Sequence, residues 1–599
     1  MKKTLSFAVA VSILLTQIIV SPTVYAEGTK DMTTYSGSRP YMEQSNSASG
    51  QNNLSAMHVY LKAGETVYLA TSVSDARLYN EDNGKRCDWL FSNSAMGTNY
   101  TDEQLAYVNT ADIYICSGNY SSVSEAIGSG ATPGKNYVDL IDIPANSDNR
   151  TPGFIYDRTQ ESGGADIAGT GTGYKVAADN TIDKAVSGYV AGVKTNANAY
   201  KAQTEGIYTV FFFSSGSSYE APVTKSIDDA APFASTQGNS SVASFDISVY
   251  DDGVLQTGRV FTDCLYLNTG DDVSSLYTKM YAVTDDGYRY LFDFNGIDAS
   301  EFQFYANRTG LLKTDSDGST SSIMHSVRSS NNTFSDLNDR GIDLNYGSNY
   351  NLFFEEPSED ALNYLQIESP EDVTASASDI TDFTYTGTGD TNAGEGFAGC
   401  GGTFSFVSSN VTADSYQIVL DFSGINGGKV ILSNELVSGL NSIYWDGRDA
   451  NGNYVPAGQY GGATIRLMSG EAHFDLIDAD RNPNGIKVIR LNGSGSDSEK
   501  STVYYNNSAS GPSLNSIVGD GADVSLDGAD STNGAMRFTD VNTSGTGLAG
   551  DGDKSAIDVW TYGSCWQTTL PYTFKLADTS FTANVLWDNA GGSPAAGNP

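Results

Sequence analysis

The chain reads as an all-β protein built from tandem antiparallel β-sandwich domains with few short helices. Three observations carry that expectation. Short apolar or aromatic runs rich in Val, Ile, Tyr and Phe recur along its length, many alternating with period two, as half-buried antiparallel strands require. Clusters of Gly, Ser, Asn, Asp and Thr separate them, and with 63 glycines against 15 prolines the turns rely on residues that tolerate positive φ. Helical periodicity is scarce: Asp102 to Val108 and Asp183 to Val193 are the best candidates, both short.

Taken in order, residues 1–26 form a signal peptide. Lys2 and Lys3 precede the apolar run Leu5 to Val20, and Pro22 leads to small residues, Val24 and Ala26, placed for cleavage before Glu27. The run is wrongly flanked for a membrane span, and no later run reaches the roughly 18 apolar residues that a span needs. The mature chain is therefore expected to be secreted or held at the cell surface, with no membrane-spanning segment.

Residues 27–234 are expected to form an N-terminal sandwich with strands in Met57–Leu61, Thr66–Ala70 and Ile207–Phe213, interrupted by a polar, glycine-rich insertion around Ser162 to Gly173. A second sandwich is expected over 235–372, with strands in Phe245–Tyr250 and Val260–Leu267. The acidic stretch Ser369 to Asp382 reads as a linker. A third unit, 373–492, holds Tyr416–Phe422, Lys429–Ser433 and Ile486–Leu491. GSGSDSEK, Gly493 to Lys500, then opens a C-terminal sandwich over 493–599 that could continue beyond the chain. No repeat of fixed period is visible, which argues against a solenoid or propeller.

Seventy-two acidic against 33 basic residues give a formal charge of −39. Lys and Arg form no cluster, and such a surface repels phosphate backbones, so nucleic acid is not an expected partner. Five cysteines do not make a disulfide scaffold. Cys87 and Cys116 fall in one expected domain and are the candidate pair; Cys264, Cys400 and Cys565 are far apart. The three histidines, His58, His325 and His473, lie in different expected domains, and each reads as a partly exposed strand or loop residue. Neither HExxH nor GxSxG occurs, so zinc-protease and serine-hydrolase signatures are missing. GTGTGY at Gly169 to Tyr174 lacks the Lys-Ser/Thr pair of a phosphate loop and reads as flexible loop.

Calcium requires hard oxygen ligands at alternating positions of a sharply turning loop. Asp449, Asn451 and Asn453 have that spacing, and so do Asp478, Asp480 and Asn482. Neither set has the distal glutamate of an EF-hand. Asp520, Asp523, Asp527 and Asp530 recur less regularly. No cofactor is expected beyond Ca²⁺, for which these loops are the candidates. A competing reading makes Asp449 to Asn453 a hairpin turn of type I′ centred on Asn451-Gly452, its oxygen side chains capping backbone N–H groups.

The segment KVILSNELVSGLNSIYWDGRDANGNYVPAGQYGGATIRL resembles the immunoglobulin-like fold of flagellar hook-capping proteins and of related modules in secreted bacterial proteins. Trp445, Asp446, Gly447, Asp449, Asn451, Gly452, Asn453, Pro456, Ala457, Gly458 and Tyr460 occupy the positions of that signature. Segments such as Lys62–Ser72, Glu205–Ser215, Tyr281–Leu311 and Asp478–Gly493 look like the N-terminal portion of large bacterial surface proteins of adhesin-like character. The resemblance implies Ig-like or jelly-roll-like sandwiches and a surface or extracellular role.

The function expected is therefore a non-enzymatic exported protein, an adhesin-like or stalk region that displays its sandwiches. Its partner would be a host or environmental glycan or protein, or another surface protein. One alternative is an array of carbohydrate-binding modules using exposed Tyr and Trp, favoured by 36 tyrosines. Another is a glycan hydrolase with two catalytic carboxylates.

Overall fold

The computed structural model describes residues 27–29, 32–34, 41–43, 56–71, 113–121, 125–126, 129, 139–141, 199–212, 241–242, 245–268, 275–298, 302–314, 320–328, 342–343, 349–389, 392–479, 481–507, 524–538 and 555–578. They are mostly strands in several antiparallel sheets, and the helices with described ends, Glu359–Tyr364 and Asp497–Lys500, are short. The chain is all-β. The two expected helices, at 102–108 and 183–193, lie outside the described residues.

Two nine-stranded sheets dominate. The first runs in the order Lys487–Arg490, Arg289–Asp293, Lys279–Val283, Asn351–Phe353, Val260–Thr262, Met57–Leu61, Gly206–Phe212, Ile113–Ser117, Asp139–Ile141. The second runs Ser241–Val242, Tyr41–Glu43, Leu265–Asn268, Phe302–Asn307, Ala472–Ile477, Ser555–Thr561, Thr502–Asn506, Val524–Asp530, with Val327–Arg328 also paired to Ser555–Thr561. A five-stranded sheet includes Glu27–Gly28, Phe245–Asp251, Thr66–Thr71 and Ala199–Lys201.

Period-two alternation decides which face each side chain takes. In Met57–Leu61 the residues Met57, Val59 and Leu61 enter the large core, while Tyr60 joins a satellite cluster with Ala361 and Leu362 of the helix Glu359–Tyr364. The large core lies between sheets. Phe292 of the first sheet meets Phe304 and Phe474 of the second at ring-centroid distances of 4.6 and 5.2 Å. Phe212 of the first sheet meets Phe245 of the five-stranded one at 5.2 Å. Each such fully buried ring contributes on the order of 1.5–3 kcal/mol of hydrophobic stabilisation.

A smaller sandwich packs the sheet Ile380–Gly387, Gly402–Ser408, Gly439–Trp445 against the sheet Lys429–Glu435, Ser415–Asp421, Thr464–Ser469, Ser564–Thr569. Its core centres on Trp445, which stacks on Phe422 at 5.4 Å and 17°. A three-stranded sheet of Glu395–Phe397, Thr573–Ala577 and Gly458–Gly461 completes it, its first pair parallel.

The sheets cross the boundaries that composition suggested. Val260 pairs with Val59, Leu291 with Ile489, and Leu467 with Trp566. Strands from 27–234, 235–372 and 373–492 thus share the first sheet, and the small sandwich takes its last strands from beyond residue 493. Within Gly493 to Lys500, Ser496 and Glu499 form a capping box on the helix Asp497–Lys500. Backbone groups must find hydrogen-bond partners, but the partner can be distant in sequence.

Candidate functional site

The loop after Trp445 is a turn held by its own side chains. Asp449 Oδ1 accepts from the backbone N–H of Asn451 and of Asn453, each at 2.9 Å. The N–H of Gly452 donates to the Asp449 carbonyl at 3.0 Å, and Gly452 has φ of +77°. Asn451 is not among the residues with positive φ. This corrects the type I′ expectation: Asp at the first position and an αL glycine at the fourth make a type I turn with a glycine bulge. Asn451 Nδ2 donates to the Asn426 carbonyl at 2.8 Å, so the loop is also tied to a neighbouring turn.

The second candidate calcium set is placed elsewhere, in the large sandwich. Asp478 has φ of +60°, Asp480 lies outside the described residues, and Asn482 is fully buried, its Nδ2 donating to the Met536 carbonyl at 2.7 Å. Among the described residues no group of three or more His, Cys, Asp or Glu is placed to hold a metal ion. Cys87 lies outside the described residues, and Cys116 is buried in the strand Ile113–Ser117.

Two of the three histidines differ from expectation: His58 and His473 are fully buried, whereas His325 is a partly exposed loop residue as expected. Ala472, Phe474 and Leu476 enter the large core, which turns His473 and Asp475 to the opposite face of the second sheet. That face is covered too, with Glu471, His473, Asp475 and Asp558 all buried. His473 Nδ1 bonds Asp558 Oδ1 at 2.7 Å, and its Nε2 lies 3.5 Å from Glu471 Oε1. Burial alone would lower the imidazole pKa, but Asp558 and Glu471 together raise it to about 10. Asp475, directly opposite Asp558 in the register, is pushed well above the usual carboxyl range by burial and by Asp558. Its Oδ2 accepts Asn307 Nδ2 at 2.7 Å. The Trp560 ring stacks on His473 at 5.7 Å. From the small sandwich, Ser415 donates to Glu471 Oε2 at 2.6 Å and Gln417 to Tyr562 at 2.8 Å. These ionisable groups face one another, and they tie the two sandwiches together.

Sequence reasoning singled out His473 but passed over Glu471, Asp475 and Asp558. Charged residues alternating with apolar ones ordinarily mark a solvated strand face, but this one is covered by Gly310, Leu311 and Val327 as well as by Ser415 and Gln417 of the small sandwich.

Beside this cluster the chain passes between the sandwiches at Gly470 and Gly563. The tip of the hairpin joining Lys279–Val283 to Arg289–Asp293 is wedged there. Tyr288 lies against Gly470, Gly563 and Gly493, where a β-carbon on any of the three would overlap its ring. Tyr288 OH donates to the Glu371 carbonyl at 2.9 Å, Tyr290 OH to the Gly470 carbonyl at 2.6 Å, and Gly470 N–H to Asp286 Oδ2 at 2.5 Å. Asp414 of the small sandwich hydrogen-bonds Asp286. Burial, then that neighbouring carboxyl, raises its pKa to about 6.

The opposite side of the small sandwich is open. Register places Tyr444 beside Thr403 and Thr386, Ser442 beside Ser405 and Thr384, and Leu440 beside Val407. Leu440 and Tyr444 are 67% and 57% exposed. Around the adjoining loop, Phe397 and Tyr454 are exposed as well, and the Arg448 guanidinium stacks 3.9 Å from the Tyr454 ring centre. Tyr444 OH reaches the Cys400 carbonyl at 3.4 Å. Compared with protein-family models, curated proteins and solved structures, the chain finds no match.

Proposed function

We propose that this protein is a non-enzymatic exported protein, an adhesin-like or stalk region that displays its sandwiches outside the cell. One observation carries the reading: the small sandwich is fastened rather than tethered. It is joined to the large one through Gly470 and Gly563, wedged by Tyr288, and tied by the Ser415–Glu471 hydrogen bond. Such a joint holds an exposed face in a constant orientation, which a display role needs.

Export is supported from the other end of the chain. Glu27, the first residue after the expected cleavage point, already belongs to a strand, and its buried carboxyl accepts the N–H groups of Arg259 and Val260 at 3.1 Å. The first residue of the expected mature chain is thus itself held in the fold.

The test is to express the whole chain in a bacterial host, fractionate the cells and determine the N-terminus by mass spectrometry. A chain found outside the cytoplasm and starting at Glu27 supports the proposal. Retention in the cytoplasm with residues 1–26 attached overturns it, and reducing sugar released from polysaccharide by the purified protein would favour the hydrolase reading instead.

A further inference from the structure

The outer face of the sheet Ile380–Gly387, Gly402–Ser408, Gly439–Trp445 is unusual in its chemistry. These strands are 8, 7 and 7 residues long, and their one charged residue is Asp382, at the bulge. The chain as a whole is 18% charged, which would put about two charges on the outward half of these strands at random. Most of the face carries hydroxyl groups, with the apolar pair Val407 and Leu440 at one end. Thr386, Thr403, Thr384, Ser405 and Ser442 stand in register rows, with strands about 4.8 Å apart. Tyr444 closes one row with its ring in solvent.

We propose that this face binds a neutral polysaccharide, with Tyr444 as the ring on which a sugar stacks and the hydroxyl rows as its hydrogen-bonding partners. The inference rests on the exported, displaying role proposed above and names the ligand class for it. A sugar ring has an apolar C–H face and a rim of hydroxyls. An exposed tyrosine matches the first through its apolar ring face, and Ser and Thr, each both donor and acceptor, match the second. The charge distribution selects the neutral class. A polyanion would be repelled by the net charge of −39, and a polycation would find no carboxylate row on these strands.

Affinity electrophoresis of the mature protein, residues 27–599, tests this in gels containing mannan, xylan, a soluble β-glucan or, as the polyanion, polygalacturonate. At least one neutral polysaccharide is expected to retard the protein, while polygalacturonate is not. Tyr444→Ala should weaken the binding at least about fivefold, while Tyr444→Phe, which keeps the ring, should stay within about twofold. Thr403→Val, which keeps the shape and removes one hydroxyl, should also weaken it and serves as a second probe should Tyr444→Ala melt earlier than the parent. Retardation by no neutral polysaccharide, retardation by polygalacturonate alone, or Tyr444→Ala and Thr403→Val binding like the parent would each overturn the proposal. The assay uses purified protein, so a chain that is exported yet binds no polysaccharide fails this inference alone.

Discussion

Tyr288 occupies the space that a side chain on Gly470 would need: a β-carbon there would overlap its ring, and Gly470 itself has φ of +65°. Gly470→Ala therefore combines overpacking with a strained backbone. It should lower the stability of the mature protein by about 2–4 kcal/mol, read from urea or thermal unfolding. Coupled to Tyr288→Ala, the cost of Gly470→Ala should shrink, because the ring it collides with is gone. Additive effects of the two changes would refute the wedge.

The Asp414–Asp286 contact makes the joint sensitive to pH. Asp414 has its pKa raised to about 6 by burial and by the neighbouring carboxyl, above an unfolded value of about 3.9. Folding therefore favours the protonated form. That contribution is complete below about pH 4 and is lost as pH rises through 6. Arg308 and a hydrogen bond with Ser469 act on the same carboxyl and oppose the shift. Asp414→Asn should flatten the fall in Tm between pH 4 and 7 relative to the parent, and should raise Tm at pH 7. Identical Tm-versus-pH curves for the two proteins would exclude the effect.

His473 and Asp558 form a buried pair, and removing Asp558 leaves the imidazolium with Glu471 as its remaining carboxylate partner. Asp558→Ala is expected to cost about 3–5 kcal/mol. The imidazole pKa of about 10 lies above its ordinary value of 6.5. Its stabilisation is therefore complete below about pH 6.5 and is lost as pH climbs through 10. Between pH 7 and 10 the parent should lose stability faster than His473→Gln. Parallel alkaline melting curves would show that the histidine is neutral in the fold.

The Asp449 turn supplies its own ligands for the carboxylate. Asp449→Ala removes hydrogen bonds to two backbone N–H groups and should cost about 1–2 kcal/mol. Asp449→Asn, which keeps an accepting oxygen, should cost less. Chelator should leave the Tm of both parent and variant unchanged. A fall in the parent alone on adding chelator would restore the calcium reading of this loop.

Much of the strand inventory was legible. Met57–Leu61 was expected and found with the same ends, because its alternation and β-branched or aromatic content are local properties. Val260–Leu267 shows where legibility stopped. It reads as one strand but divides at Asp263-Cys264, with Val260–Thr262 in the first large sheet and Leu265–Asn268 in the second. An apolar run records burial but carries no mark of the sheet it joins. Of the exposed face, the abundance of tyrosine was visible, but the grouping of Tyr444 with rows of hydroxyls depends on register.

The sequence by itself determined that the chain is all-β, where many of its strands lie, and that Asp449 to Asn453 turns sharply. These follow from short-range patterns: period two, turn residues and side chains that cap nearby N–H groups. Tertiary structure alone decided which strands pair, that Glu471, His473, Asp475 and Asp558 are shut away from water, and that a hairpin tip wedges two sandwiches together. Hydrogen bonds between strands are chemically alike wherever they form, so partners separated by hundreds of residues leave no local trace.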